Sequence, residues 1–243
     1  MLQQALQARP DAAFYIIAGD LVNRGRERDE WDSLFHYGSP VFSRRPLVPA
    51  VGNHDAQGGR PGLYLDQLEL PKNGPLLFDQ ERVFALEYSN ALFLVLDSNL
   101  RPHRQTAWLE SQLGRSKALW KFVIYHHPAY SSARARDNAD LREAWAPIFD
   151  RYHVDMALQG HDHAYLRTYP MRGQHRVESP AGGTTYVVAV SGTKMYLQDP
   201  RDYAAVALTN VATYQVLDLA GRRLTYRAFD AAGRTRDELV IDK

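Results

Sequence analysis

The chain has 243 residues, 45% of them hydrophobic and 23% charged, enough for one sizeable globular domain with a full core. A formal net charge of +1 gives no basic excess of the kind that binds nucleic acid or an anionic membrane surface. There is no cysteine, which excludes disulfides and thiolate metal ligands, and no apolar run approaches the roughly 20 residues of a membrane-spanning helix.

Residues 2–8 read as the tail of a helix closed by Arg9-Pro10-Asp11, without the basic and apolar regions of a signal peptide. Residues 14–18 are a continuous apolar run of the sort buried on both faces of a sheet. A charged loop follows, then a helix near residues 29–37 and a second strand at 47–51. The segment 56–79, rich in glycine and proline, reads as a long surface loop of the kind that is often functional. Residues 82–88 and 91–96 form a hairpin turning at Ser89-Asn90. An amphipathic helix over 105–117 puts Trp108, Leu109 and Leu113 on one face, and a strand at 121–125 follows. Next come a Ser/Arg-rich loop, a helix at 139–152 and a strand at 154–158. From Tyr165 onward the pattern is β, with strands at 184–190, 213–217, 223–229 and 239–241. The turn signals Ala220-Gly221 and Ala232-Gly233 separate the last three.

Four of these strands stop in the same way. The first ends in Gly19-Asp20, the second in Gly52-Asn53-His54-Asp55, the strand at 121–125 in His126-His127-Pro128, and the strand at 154–158 in Gly160-His161-Asp162-His163. Carboxylate, carboxamide and imidazole donors gathered at strand ends suit divalent or trivalent ions such as zinc, iron, manganese or cobalt. One aspartate can bridge two such ions held about 3.5–4 Å apart, the spacing used in two-metal phosphoester hydrolysis. An asparagine beside a histidine, as in Asn53-His54, pairs a neutral oxygen ligand with an imidazole free for proton transfer.

In order and spacing these motifs resemble those of the calcineurin-like metallophosphoesterases. Trp31, the run from His126 to Ser132 and the run from His161 to Tyr165 look most like the purple acid phosphatase branch. The resemblance implies an α/β fold, a four-layer α-β-β-α sandwich of two mixed sheets flanked by helices, as a single catalytic domain over residues 1–243. It implies metal-dependent hydrolysis of small phosphate esters, chiefly monoesters, by attack of a metal-bound hydroxide. Phosphodiesters, or a metal-binding fold of weakened activity, are the alternatives. It further implies two metal ions (iron, zinc or manganese) and, from the habit of that branch, an exported protein. In the implied site Asp20 bridges the metals, Asn53, His126 and His161 complete one site, and His163 belongs to the other. His54 serves the leaving group and Asp55 orients it. His127, Tyr130, Tyr165 and Arg167 follow the motifs closely enough to contact substrate.

The chain departs from that pattern twice. Relatives begin with a strand ending in Asp-x-His or a near variant, whose aspartate binds the first metal, and nothing before Phe14 plays that part. The expectation is therefore a truncated N-terminus, one firm metal site and one weak one, and an unpaired strand that invites marginal stability or self-association. The position three residues after Asp20, a tyrosine in purple enzymes, is Asn23, so no purple colour is expected. Outside the motifs, His36, His103, His153 and His175 read as structural, Asp97 as a turn-stabilising carboxylate, and Asp162 as facing away from its flanking histidines. Arg134, Arg136 and Arg142 form a basic group that attracts phosphate or is simply solvated.

Overall fold

A computed structural model describes residues 1–243. In chain order the elements are α1 (Leu2–Ala8), β1 (Tyr15–Ile17), α2 (Arg28–Phe42), β2 (Leu47–Pro49), α3 (Asn53–Ala56), α4 (Gly62–Gln67), β3 (Phe84–Tyr88), β4 (Ala91–Val95), α5 (His103–Arg115), β5 (Trp120–Ile124), α6 (Ala139–Tyr152), β6 (Met156–Gln159) and β7 (Tyr165–Thr168). There follow a small ribbon, β8 (Met171–Arg172) and β9 (His175–Arg176), then β10 (Thr185–Val188), β11 (Ala204–Leu208), β12 (Thr213–Ala220), β13 (Arg223–Asp230) and β14 (Thr235–Asp242).

The centre is a seven-stranded sheet in the order β11-β7-β10-β6-β5-β4-β3. Its middle four strands, β10, β6, β5 and β4, run parallel, and antiparallel strands close both edges. The apolar runs in the sequence are continuous here because both faces are covered. Leu92, Leu94, Val123 and Ala157 face α5 and α6, where Leu109, Leu113, Trp145 and Phe149 close a core. Phe93, Val95, Phe122, Ile124, Met156 and Leu158 face the opposite way, onto Val48 of β2, Leu224 and Tyr226 of β13 and Ile241 of β14.

That second β layer differs from the single mixed sheet expected. It consists of two pieces, the parallel pair β1–β2 and the antiparallel meander β12–β13–β14, with neither β1 nor β12 paired to a further strand. α1 and α2 lie outside it, and Arg9, just past α1, forms an ion pair with Asp218 of β12. Four layers are present, as expected, but the second is interrupted.

Two boundaries have local causes. α2 runs on to Phe42 through Pro40, which has no N–H to give to the carbonyl of His36; the hydroxyl of Ser39 donates to that carbonyl instead, at 2.9 Å. The segment expected as a loop after Ala56 contains α4, pinned by the fully buried Tyr64, whose hydroxyl donates to the carbonyl of Pro49 at 3.0 Å.

Candidate metal centre

Strands β1, β2, β5 and β6 end side by side, and their ends turn sharply. Gly19 has φ +87°, Asp20 +54° and His161 +67°. For non-glycine residues this left-handed backbone is uncommon and is typical of functional sites, where the surrounding fold enforces it. Gly52 is required for a different reason: a Cβ there would lie 2.1 Å from both the backbone nitrogen and Oδ1 of Asp20. The two glycines let the two strand ends touch, which brings Asp20 and Asn53 to one place.

Four donors converge there. Oδ2 of Asp20 lies 3.1 Å from Nε2 of His126, and Oδ1 of Asn53 lies 3.0 Å from the same nitrogen. Nδ1 of His161 lies 2.8 Å from Oδ1 of Asn53 and 3.1 Å from Nε2 of His126. The other nitrogen of His126, Nδ1, donates to the carbonyl of Ala18 at 2.8 Å, so Nε2 presents its lone pair inward in the neutral ring. Oxygen and imidazole nitrogen atoms this close together are joined by a proton on one of the rings or, with the rings neutral, by a bound cation. Separations of 2.8–3.1 Å fit neighbouring ligands of an octahedral ion with bonds of about 2.1 Å, whose adjacent donors sit about 3.0 Å apart.

His163 stands outside this group. Its Nδ1 donates to the carbonyl of Lys194 at 3.0 Å and its ring packs on Tyr196 with centroids 4.7 Å apart, which leaves Nε2 as its free donor atom. In its stead His127 joins the cluster: ligand nitrogens of His126, His127 and His161 all lie within 4.8 Å of one another. Strand alternation would have turned His127 away, but β5 ends at Ile124, before alternation can act on it. Nδ1 of His127 is 2.8 Å from Oγ of Ser98, and its backbone N–H donates to the same oxygen at 2.9 Å.

Burial, and then His126, pushes His127 down to about 4; burial, and then His127, pushes His161 down to about 3. Neutral imidazoles at ordinary pH are the form that binds metal. Burial raises Asp20, but its hydrogen bond and charge interaction with His126 outweigh that and hold the carboxyl below its usual range.

The expected partnership of His54 with Asp55 is corrected. Asp55 is buried and accepts from the backbone N–H groups of Leu21 (2.9 Å), Val22 (3.2 Å) and Gly52 (2.8 Å); burial pushes its carboxyl up to about 6. It ties the two strand-end loops together and does not touch the imidazole of His54. That ring is oriented by the carbonyl of Asn23, to which Nδ1 donates at 2.7 Å, and the backbone N–H of His54 donates to Oδ1 of Asp20 at 2.9 Å.

Three of the residues expected to contact substrate lie elsewhere. Tyr165 and Arg167 point through the sheet to the meander. The Tyr165 hydroxyl donates to Asp237 at 2.7 Å and sits 2.9 Å from that of Tyr226, and Arg167 grips Asp237 with two nitrogens at 2.6 and 2.9 Å. Tyr130 is buried on the helix face of the sheet, against Tyr186 and Tyr203. Asp97 is fully buried and takes Arg82 at 2.7 Å while accepting from Asn99, whose side chain also donates to the carbonyl of Val51 at the end of the second strand. Asp162 turns from the histidines to Ser131, whose hydroxyl donates to it at 2.5 Å. The carbonyls of Ala18 and Asn23 hold two of the imidazoles, and a backbone carbonyl carries no signal in a sequence.

The sequence profile of the calcineurin-like phosphoesterases matches residues 1–165. The chain belongs to that family. Among its relatives, an uncharacterized protein of Mycobacterium tuberculosis is 30% identical over 187 residues, covering 66% of this chain and 35% of the relative. A phosphoenolpyruvate phosphatase of Allium cepa is 28% identical over 188 residues, covering 69% of this chain and 37% of that protein. The chain thus spans about a third of the length of these curated relatives. Its fold matches a purple acid phosphatase from yellow lupin with a TM-score of 0.86 at 20% identity, over 99% of this chain and 48% of the other. The membrane-complex anchor GAP50 of Plasmodium gives 0.68 at 15% identity, over 99% and 82%. Its sequence and fold are similar to those of purple acid phosphatases within that family. None of its helices is long and apolar enough to cross a membrane.

Proposed function

We propose that this chain carries the catalytic centre of a metal-dependent phosphatase acting on small phosphate monoesters. The observation that carries the reading is the convergence of Asp20, Asn53, His126 and His161 on one point, with the spare nitrogen of His126 already committed to the carbonyl of Ala18. A bound divalent ion would supply Lewis acidity toward a phosphoryl oxygen and an acidified water as nucleophile. The chain's own residues supply the rest. Asp20 and the three neutral ligands fix the place where the phosphoryl group is received. Nδ1 of His54 is occupied by Asn23, so its Nε2 is free to exchange a proton with the leaving-group oxygen. Asp55 and its three backbone donors keep the loops bearing Asp20 and His54 in register.

One ion is held firmly in this reading and a second weakly. The four-donor group is complete by itself, whereas His163 stands apart with Nε2 alone to offer. Export from the cytoplasm belongs to the same reading, and cell fractionation tests it. The deciding experiment measures metal content and hydrolysis of a generic aryl phosphate for the chain and for His54→Ala. We expect one tightly bound ion per chain in both proteins, with turnover falling 10²–10⁴-fold in the variant, the usual worth of a general acid–base group. Turnover unaffected by the substitution would overturn the role of His54; no turnover in the parent chain under any metal would leave a metal-binding fold.

A further inference from the structure

Beside His163 two loops are zipped into a flap. The backbone of Arg134 donates to Leu197 at 3.0 Å, that of Asp199 to Ser132 at 2.8 Å and that of Tyr196 to His163 at 2.8 Å, and Ala133 bridges Gln198. Ala135, at the tip, has φ +59°, an unfavourable conformation for a residue with a Cβ. The flap is basic, and not all of its charge is spent internally. Arg134 is paired with Asp199 at 3.2 Å, and Asp137 is paired with Arg142 at 2.5 Å. Arg136 has only a long contact of 3.4 Å to Asp162, a carboxylate that the hydroxyl of Ser131 already engages, and Lys194 has no carboxylate partner.

Arg136, paired at that distance with Asp162, and the unpaired Lys194 are gathered on one ring. The guanidinium of Arg136 lies 4.8 Å from the centroid of Tyr196 and the ammonium of Lys194 lies 5.2 Å from it, while the ring of His163 packs against Tyr196 at 4.7 Å. Each cation is drawn to the negative face of the ring, which holds both beside His163.

We propose that Arg136 and Lys194, spaced by Tyr196, form a subsite for a second anionic group of the substrate, a carboxylate or another phosphate close to the phosphate being cleaved. The inference rests on the phosphatase reading of the neighbouring centre, and it names a substrate class: small phosphomonoesters that bear a further negative charge. Arg136 contributes a planar fork suited to a carboxylate or phosphate, and Lys194 a compact mobile charge from an exposed position. Neither touches the reacting atoms; both act on which substrate is held.

The test compares two stable probes on the full chain supplied with zinc. Calorimetry gives the affinity for phosphonoacetate, which carries a carboxylate beside its phosphonate, and for methylphosphonate, which does not. The parent chain is expected to bind phosphonoacetate at least tenfold more tightly. Lys194→Met and Arg136→Gln should each reduce that ratio severalfold, and the pair should bring it near unity, whereas Lys194→Arg should retain it. Equal affinities in the parent chain, no binding of either probe, or a ratio that survives the substitutions would overturn the proposal. Should Arg136→Gln disturb the flap, Lys194→Met decides alone, because its side chain is exposed and unpaired. Hydrolysis of an aryl phosphate in parallel separates the two readings: a chain without turnover that still discriminates between the probes loses the phosphatase assignment and keeps the subsite.

Discussion

At the residue scale the site is built by backbone geometry as much as by ligand chemistry. Asp20 is aimed by the left-handed turn that it and Gly19 make, and it can stay there only because Gly52 has no side chain. Gly52→Ala would drive a methyl group against the backbone nitrogen and carboxylate of Asp20, so Asp20 must move. The strands beneath need not move with it, since Gly52 lies past the end of β2. We therefore expect metal affinity to fall by 10–100-fold, the scale seen when groups that orient a ligand are lost, in a chain that keeps its circular dichroism spectrum. Gly62→Ala, where an added methyl meets nothing within 4 Å, is the control and should bind metal like the parent. Zinc titration of the two variants checks this, and equal affinities would mean that Asp20 is not held by that contact.

At the scale of elements, the network of Tyr165, Arg167, Tyr226 and Asp237 joins the central sheet to the meander. Asp237 receives both a phenol and a guanidinium, and all four residues are buried. Asp237→Ala would leave the Arg167 charge in the interior without a partner, which costs about 3–5 kcal/mol. Chemical denaturation should show that loss, whereas metal content under native conditions should be unchanged, because the network points away from the centre. An intact melting profile in Asp237→Ala would show that water reaches Arg167 freely.

The same network shows where sequence reading succeeds and where it stops. The runs at 14–18, 47–51, 91–96, 121–125 and 154–158 announce strands because a parallel strand buried on both faces must be apolar along its length. The ends of these runs carry the candidate ligands, and the side chains of Asp20, Asn53, His126 and His161 do meet. β7 is four residues long and carries Arg167 and Thr168, which are satisfied only by distant partners, and β11 is a short run of mostly small apolar residues, so periodicity reveals neither. For the same reason Tyr165 and Arg167, two and four residues past the end of a ligand motif in sequence, could be read as substrate contacts, although four residues of strand suffice to turn a side chain toward the meander. The adjacency of His54 and Asp55 misleads similarly. They are neighbours in a single turn of helix, where successive side chains diverge.

At the scale of the whole molecule, the second β layer governs behaviour in solution. β12 is eight residues long and paired on one side, and β1 is likewise paired only with β2. Each presents a row of backbone groups along its other edge, and such edges template pairing with further strands. The devices that blunt an edge are sparse here. β12 has no proline and no lysine, and its one central charge, Asp218, is engaged by Arg9. Side chains of β12 and β1, among them Leu217 and Ile16, pack on the central core, so their register is specified while their outer edge is not capped by a strand. We expect the isolated chain to self-associate through these edges, with sedimentation coefficients that rise with protein concentration. Amides of β1 and β12 should exchange with solvent well before those of β4, β5 and β6, which are paired on both sides. Association that protects β1 and β12 from exchange would identify the edge as the interface. A monomer at every concentration, with β12 exchanging as slowly as β5, would mean that the two pieces of the second layer are closed in solution by some other contact.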